Sequence, residues 1–199
     1  MNKTLSVKQA KTISISRSTI EEYFPFYPKW VKSILWRIMS LVLGERKLIK
    51  KYWGDSWEKV VDHLLKKNKL SLLGTQNLQN AIPKKGPYIV VMNHPLGVLD
   101  SIMLFYQVRG VRDDAVVMAN EYMTYWPHSN ETMLTVNNNS GVTSKKQVRA
   151  LHHHLEVGKG LLVLPSGKIA RGAYANPTEE PWDKSFIRLA KAHNVPIIP

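Results

Sequence analysis

Short apolar runs alternate with longer segments of helical periodicity from residue 70 to the end of the 199-residue chain. The runs predicted to be strands are Leu70–Leu73, Tyr88–Met92, Ala115–Ala119, Met133–Val136, Gly160–Leu164 and Pro196–Ile198. The segments predicted to be helices are Asp100–Val108, Ser144–Val157 and Lys184–His193. This alternation is typical of the α/β class, with a mainly parallel central sheet covered by helices.

The chain before residue 70 has a different pattern and is predicted to be a helical N-terminal region spanning residues 1–69, followed by an α/β domain spanning residues 70–199. Trp30–Leu43 is predicted to be one helix of this region. Ser56 is predicted to cap a second helix, whose apolar residues Trp57, Val60, Val61, Leu64 and Leu65 have helical spacing. We expect that stripe to pack on the domain.

The last residues, Val195-Pro196-Ile197-Ile198-Pro199, read as the start of a buried strand with nothing after it. A sheet that stopped in a central strand would be incomplete. We therefore expect the chain to be truncated at its C-terminus.

Charge is concentrated in the N-terminal part of the chain. The whole sequence carries a net charge of +13, and residues 1–70 contain 15 Lys/Arg and 6 Asp/Glu. Aromatic residues lie among these cations, a combination that suits an anionic membrane surface. A solvated basic helix face and a nucleic-acid partner are the alternative interpretations. The longest apolar stretch, Ile34 to Leu43, is too short to span a bilayer, so peripheral attachment is expected.

His94 and Asp100 carry the first candidate chemistry. His94 directly follows a predicted buried strand, and Asp100 opens the next predicted helix. An imidazole oriented by a carboxylate can take a proton from a hydroxyl group. Gly97 would allow the intervening turn a left-handed conformation that brings the pair together. Read alone, such a pair is more often structural, a helix cap and a satisfied ring.

A second candidate site follows the strand Gly160–Leu164. Arg171 can bind phosphate or carboxylate with two parallel hydrogen bonds, Lys168 can add charge, and Gly167 permits close backbone approach. A surface loop with two solvated cations is the alternative.

Other chemistries find little support. The chain has no cysteine, which excludes disulfides and cysteine nucleophiles. His152, His153 and His154 are consecutive, and on a helix they point about 100° apart, so they cannot share one metal ion. We expect no metal and no bound cofactor.

Four segments in this order resemble the glycerophospholipid acyltransferase superfamily, over roughly Ser71 to Pro199. They are Asn93-His94-Pro95-Leu96-Gly97-Val98-Leu99-Asp100, Asn138-Asn139-Ser140-Gly141, Leu164-Pro165-Ser166-Gly167-Lys168-Ile169-Ala170-Arg171 and the ending Val195-Pro196-Ile197-Ile198-Pro199. Five residues separate His94 from Asp100, one more than is usual. This longer form, with Pro-x-Gly-x-x-x-Arg, looks like the hemolysin-like and ornithine-lipid-forming branch. Ser166 stands where the commoner pattern has a glutamate.

The resemblance implies an enzyme that moves a fatty acyl group from acyl carrier protein or coenzyme A to a hydroxyl of a lysolipid, at the cytoplasmic face of a bacterial inner membrane. It implies that His94 is the general base and that Asp100 orients it. The implied substrate-binding residues are Asn93, Gly97, Pro165, Ser166, Gly167, Lys168 and Arg171. A catalytically inactive lipid-binding relative and a basic nucleic-acid-binding protein remain as alternatives.

Overall fold

A computed structural model describes residue 28 and residues 55–69, 71–95, 98–120, 129–137, 143–168 and 178–199 of the chain. The predicted helix Trp30–Leu43 lies outside these residues. Most of the described residues belong to one compact unit, which comprises Ser56–Thr124 and His128–Pro199.

Within the described residues, parallel strands form a single sheet in the order β3-β2-β4-β1-β5. The strands are β1 Tyr88–Val91, β2 Val116–Asn120, β3 Met133–Val136, β4 Gly160–Val163 and β5 Ile197–Ile198. The helices are α1 Trp57–Asn68, α2 Thr75–Ala81, α3 Val98–Arg109, α4 Ser129–Thr132, α5 Lys145–Glu156 and α6 Ser185–His193. Every strand pairing is parallel, which confirms the predicted α/β class.

The helix starts follow from local hydrogen bonding. The Ser144 hydroxyl accepts from the Gln147 N–H at 3.2 Å, and the Gln147 side chain accepts from the Ser144 N–H at 3.0 Å. This reciprocal capping box satisfies backbone donors that a helix leaves unpaired at its first turn. Ser56 caps α1 by accepting from Lys59, as its sequence predicts.

Helix α1 packs against α3 inside the compact unit. Val60 and Val61 are buried, as expected from the apolar stripe. The Tyr106 hydroxyl of α3 donates to the Asp62 carboxylate of α1 at 2.8 Å. Val60 and Val61 of the stripe therefore serve packing.

The strand predicted at Leu70–Leu73 is wrong. Residues 71–74 form no strand, and Leu73 is 88% exposed. Gly74 then takes a positive φ of 76° and begins α2, a helix that the sequence did not predict. A short apolar run cannot by itself distinguish a strand from the approach to a helix.

The sheet is apolar on both faces. Ile89 and Val91 of β1 and Leu161 and Val163 of β4 lie in one core cluster with residues of α5 and α6. Alternate strand residues point to the opposite face. Leu162 on that face is also fully buried. Burial on both sides explains why these strands read as continuous apolar runs rather than as alternating ones.

Gly160 and Tyr88 are direct neighbours across β4 and β1. The Tyr88 ring covers the Gly160 backbone and is fully buried, and the Arg112 guanidinium lies 4.8 Å from the ring centroid. Burial is the main cause that raises the pKa of Tyr88 to about 12. Arg112 also donates to the carbonyl oxygens of Gly86 and Gly158, and these bonds fix the guanidinium in its position against the ring.

Gly160→Ala should therefore destabilise the fold by about 3 kcal/mol or more, because overpacking a filled core forces strain on its neighbours. A Cβ atom at this position would lie 2.2 Å from the Tyr88 Cζ atom. The free energy of unfolding in urea measures the effect. Gly110→Ala is the control, since its Cβ would meet only the carbonyl oxygens of Gln107 at 3.3 Å and Tyr106 at 3.6 Å. Equal stability in the two variants would mean that the Tyr88 ring moves aside freely.

Candidate active site

The carboxyl ends of β1 and β4 bring two of the candidate segments to one edge of the sheet. The strands are hydrogen-bonded neighbours in parallel register, from Tyr88 opposite Gly160 to Val91 opposite Val163. The Met92 N–H continues the pairing by donating to the Val163 oxygen at 3.1 Å. Ligands collect at this edge in open α/β sheets.

His94 and Asp100 meet at this edge. The His94 Nδ1 atom lies 3.3 Å from Asp100 Oδ2, and the two side chains are 16% and 7% exposed. Asp100 occupies the first turn of α3, where the helix dipole favours a carboxylate. Among the described residues Nδ1 has no well-aligned hydrogen-bond partner, and the Asp100 carboxylate is the acidic group beside it. With Nδ1 turned to Asp100, Nε2 is the ring nitrogen available for a substrate proton.

The Leu164-Pro165-Ser166-Gly167 segment forms a tight turn after β4. The Gly167 N–H donates to the Leu164 oxygen at 3.0 Å, and Gly167 has a φ of 62° that favours glycine. Pro165 is buried at the second position of the turn, where its fixed φ is favourable. The Ser166 hydroxyl lies 3.0 Å from the Lys168 carbonyl oxygen and 3.1 Å from Glu179 Oε1, so its single proton is shared between these two acceptors.

Glu179 joins the two segments, although its sequence context did not mark it. One of its oxygens, Oε1, accepts from the backbone N–H of His94 and from the Ser166 hydroxyl, the latter at 3.1 Å. The other, Oε2, accepts from the Trp182 indole N–H at 2.9 Å. Glu179 lies 85 residues after His94, so no local spacing could have revealed the contact.

The segment around Glu179 is fixed at its far end too. The Asp183 N–H donates to the Pro165 oxygen at 3.0 Å. The Asp183 carboxylate accepts from the Ser185 N–H at 2.7 Å at the start of α6. Hydrogen bonding to Ser185 lowers the pKa of Asp183.

The remaining predicted site residues divide into two groups. Asn93 and Lys168 are exposed next to the His94 and Ser166 segments. Gly97 and Arg171 lie outside the described residues. Their predicted roles therefore stay predictions.

The three consecutive histidines have three different partners. His152 Nδ1 lies 2.8 Å from a ring nitrogen of His193. His153 faces Glu156 at 3.9 Å, and His154 contacts the Gly160 oxygen at 2.9 Å. Their divergence follows the helical spacing of about 100° per residue. In the part of the chain that the structure describes, no group of three or more His, Cys, Asp or Glu side chains could hold a metal ion.

An imidazole–carboxylate pair at the carboxyl edge of a parallel sheet is suited to proton transfer from a substrate hydroxyl. A family model described as acyltransferase matches residues 48–199. The chain belongs to this acyltransferase family, and it is a transferase. No match was found among curated proteins or among solved structures.

Proposed function

We propose that this protein transfers a fatty acyl group from a thioester carrier, acyl carrier protein or coenzyme A, to a hydroxyl of a lysolipid in membrane lipid synthesis. The observation that supports it best is the 3.3 Å approach of His94 Nδ1 to Asp100 Oδ2 beside the Ser166 turn. The family match supplies the reaction class.

The proposed step needs no covalent enzyme intermediate. His94 Nε2 takes the proton of the acceptor hydroxyl while the hydroxyl oxygen attacks the thioester carbonyl carbon. A carbon–oxygen bond forms, the tetrahedral intermediate collapses, and the carbon–sulfur bond breaks. The leaving thiolate takes the proton back from the imidazolium, which Asp100 stabilises. The products are the acylated lipid and the free thiol of the carrier.

The proposed acceptor carries an anionic head group. Lys168 lies exposed after the turn at the edge that holds His94. Arg171, three residues later in the sequence, adds a guanidinium suited to paired contacts with a phosphate or carboxylate. The five-residue spacing of His94 and Asp100 supports the hemolysin-like and ornithine-lipid-forming branch as the nearest type.

Lipid mass spectrometry tests the proposal. The protein is incubated with labelled acyl carrier protein or acyl-CoA and a panel of phosphate-bearing and amino-acid-bearing lysolipids. Appearance of a singly acylated product with release of the carrier thiol is expected. Binding of a lysolipid without turnover would instead support an inactive lipid-binding relative. Tight, steeply salt-dependent DNA binding without turnover would favour the nucleic-acid alternative.

Arg171→Ala should raise the KM for the acceptor about tenfold or more and leave the donor KM nearly unchanged, because the acceptor anion loses a two-pronged, charge-assisted contact. Arg171→Lys should restore only part of the affinity, since lysine brings charge without the fork. Steady-state kinetics with each substrate varied separately decides the matter. A response of the donor KM alone would place the carrier at Arg171.

Membrane attachment is the remaining part of the proposal, and it rests on the cations and aromatic residues before residue 71. None of the described helices is long and apolar enough to cross a bilayer. Deleting residues 1–45 should weaken flotation with anionic vesicles, because each basic residue near an anionic surface contributes about 1 kcal/mol. Zwitterionic vesicles are the control. Unchanged flotation after the deletion would assign attachment to another surface.

A further inference from the structure

We propose that Glu179 is a positioning residue, which holds the His94 segment and the Ser166 turn in register so that the imidazole faces the bound acceptor. The inference rests on the proposed function for its kinetic test. Its structural part stands independently, on hydrogen bonds to a single carboxylate from the His94 segment, from the Ser166 turn and from Trp182 of its own segment.

The two oxygens of the Glu179 carboxylate accept hydrogen bonds from different donors. Oε1 receives the His94 N–H and the Ser166 hydroxyl, which come from the ends of β1 and β4. Oε2 receives the Trp182 indole N–H at 2.9 Å. A carboxylate has enough acceptor sites for all three donors, and each bond gains from its charge.

Two carboxylates contact His94, one at its side chain and one at its backbone. Asp100 approaches the ring at Nδ1, and Glu179 binds the main chain of the same residue. Fixing the ring alone would leave its Cα free to shift with the loop. Fixing the backbone as well restricts the position of Nε2, and a misplacement of about 1 Å can reduce a rate about 100-fold.

Glu179 is itself well anchored. Trp182 packs edge-on against Phe186 of α6 with ring centroids 6.1 Å apart. The Asp183 N–H binds the Pro165 oxygen at 3.0 Å. The segment therefore contacts the Ser166 turn at two points, and Glu179 projects from it with little freedom to swing away.

Kinetics of two Glu179 variants test the inference. Glu179→Ala should lower kcat about 100-fold with little change in the acceptor KM, since a displaced base affects the reaction more than binding. Glu179→Gln keeps one oxygen acceptor for His94 and Ser166 but places an amide near the Trp182 donor, so a partial loss of about tenfold is expected. Glu156→Gln is the control, because it makes the same change at an exposed glutamate on α5.

A chemical readout separates this inference from the proposed function. Diethyl pyrocarbonate modifies accessible imidazoles, and peptide mass spectrometry gives the rate at each histidine. The ratio of modification at His94 to that at His153, whose side chain is 74% exposed, should rise several-fold in Glu179→Ala and less in Glu179→Gln. His153 serves as the internal reference for reagent activity.

The outcomes are distinct. A wild-type protein without acyl transfer to any acceptor would overturn the proposed function, and the His94 to His153 ratio would still decide the role of Glu179. An unchanged ratio in both variants, or a raised acceptor KM at constant kcat, would overturn the positioning role. If Glu179→Ala fails to fold, Glu179→Gln alone carries the test, because it preserves the volume of the side chain.

Discussion

His94→Ala should reduce the rate of acyl transfer by about 10²- to 10⁴-fold, which is the usual contribution of a positioned general base. The substitution removes the group that takes the acceptor proton. It should leave the fold intact, because the ring lies at the edge of the sheet rather than in the apolar core. The measurements are kcat with saturating donor and acceptor, and the midpoint of thermal unfolding.

His153→Ala is the matched control, since it removes the same side chain from the exposed surface of α5. Its turnover should equal that of the unmodified protein. Near-normal turnover in His94→Ala would end the general-base hypothesis. Loss of turnover together with a large fall in the unfolding midpoint would indicate a structural role instead.

Asp100→Asn should also reduce turnover, by up to about 10⁴-fold. The carboxylate can only accept a proton from Nδ1, so it keeps Nε2 unprotonated and ready to act as a base. An asparagine amide can donate to Nδ1 and so stabilise the opposite tautomer. It also withdraws the negative charge that stabilises the imidazolium formed during the reaction.

Asp113→Asn supplies the comparison, because Asp113 is an exposed carboxylate shortly after the same helix. Asp100→Asn should lower kcat without a matching change in stability. If it lowers only the unfolding midpoint, Asp100 serves as a helix-terminal charge. The helix dipole interaction is worth about 0.3–1 kcal/mol, so such an effect would be small.

The strands that read as buried runs were predicted almost to the residue, because a parallel sheet covered on both faces demands continuous apolar sequence. The helix α5 was equally clear, since its capping box is a local pattern. Leu70–Leu73 failed because apolar character alone does not define a strand. Helix α2 escaped prediction because its residues Thr75–Ala81 include none that is buried, and no apolar stripe marks it.

The candidate site shows the same division between local and distant information. His94 and Asp100 are close in sequence, which made their meeting predictable. That Ser166 lies beside them follows from the parallel pairing of β1 and β4. Glu179 could not be found in this way, because its position depends on how the segment at residues 178–183 returns to the sheet, and one sequence carries no pattern for that contact.

The long separation between His94 and Glu179 has a consequence for how the protein is made. During synthesis from the N-terminus, β1 and the start of α3 emerge well before β4 and the segment at residues 178–183. The His94 backbone acquires its distant partner only after 85 further residues have been added. Contacts between distant residues require loop closure and tend to form late in folding. A growing chain therefore carries His94 and Asp100 without the Glu179 contact until residues 178–183 have been made.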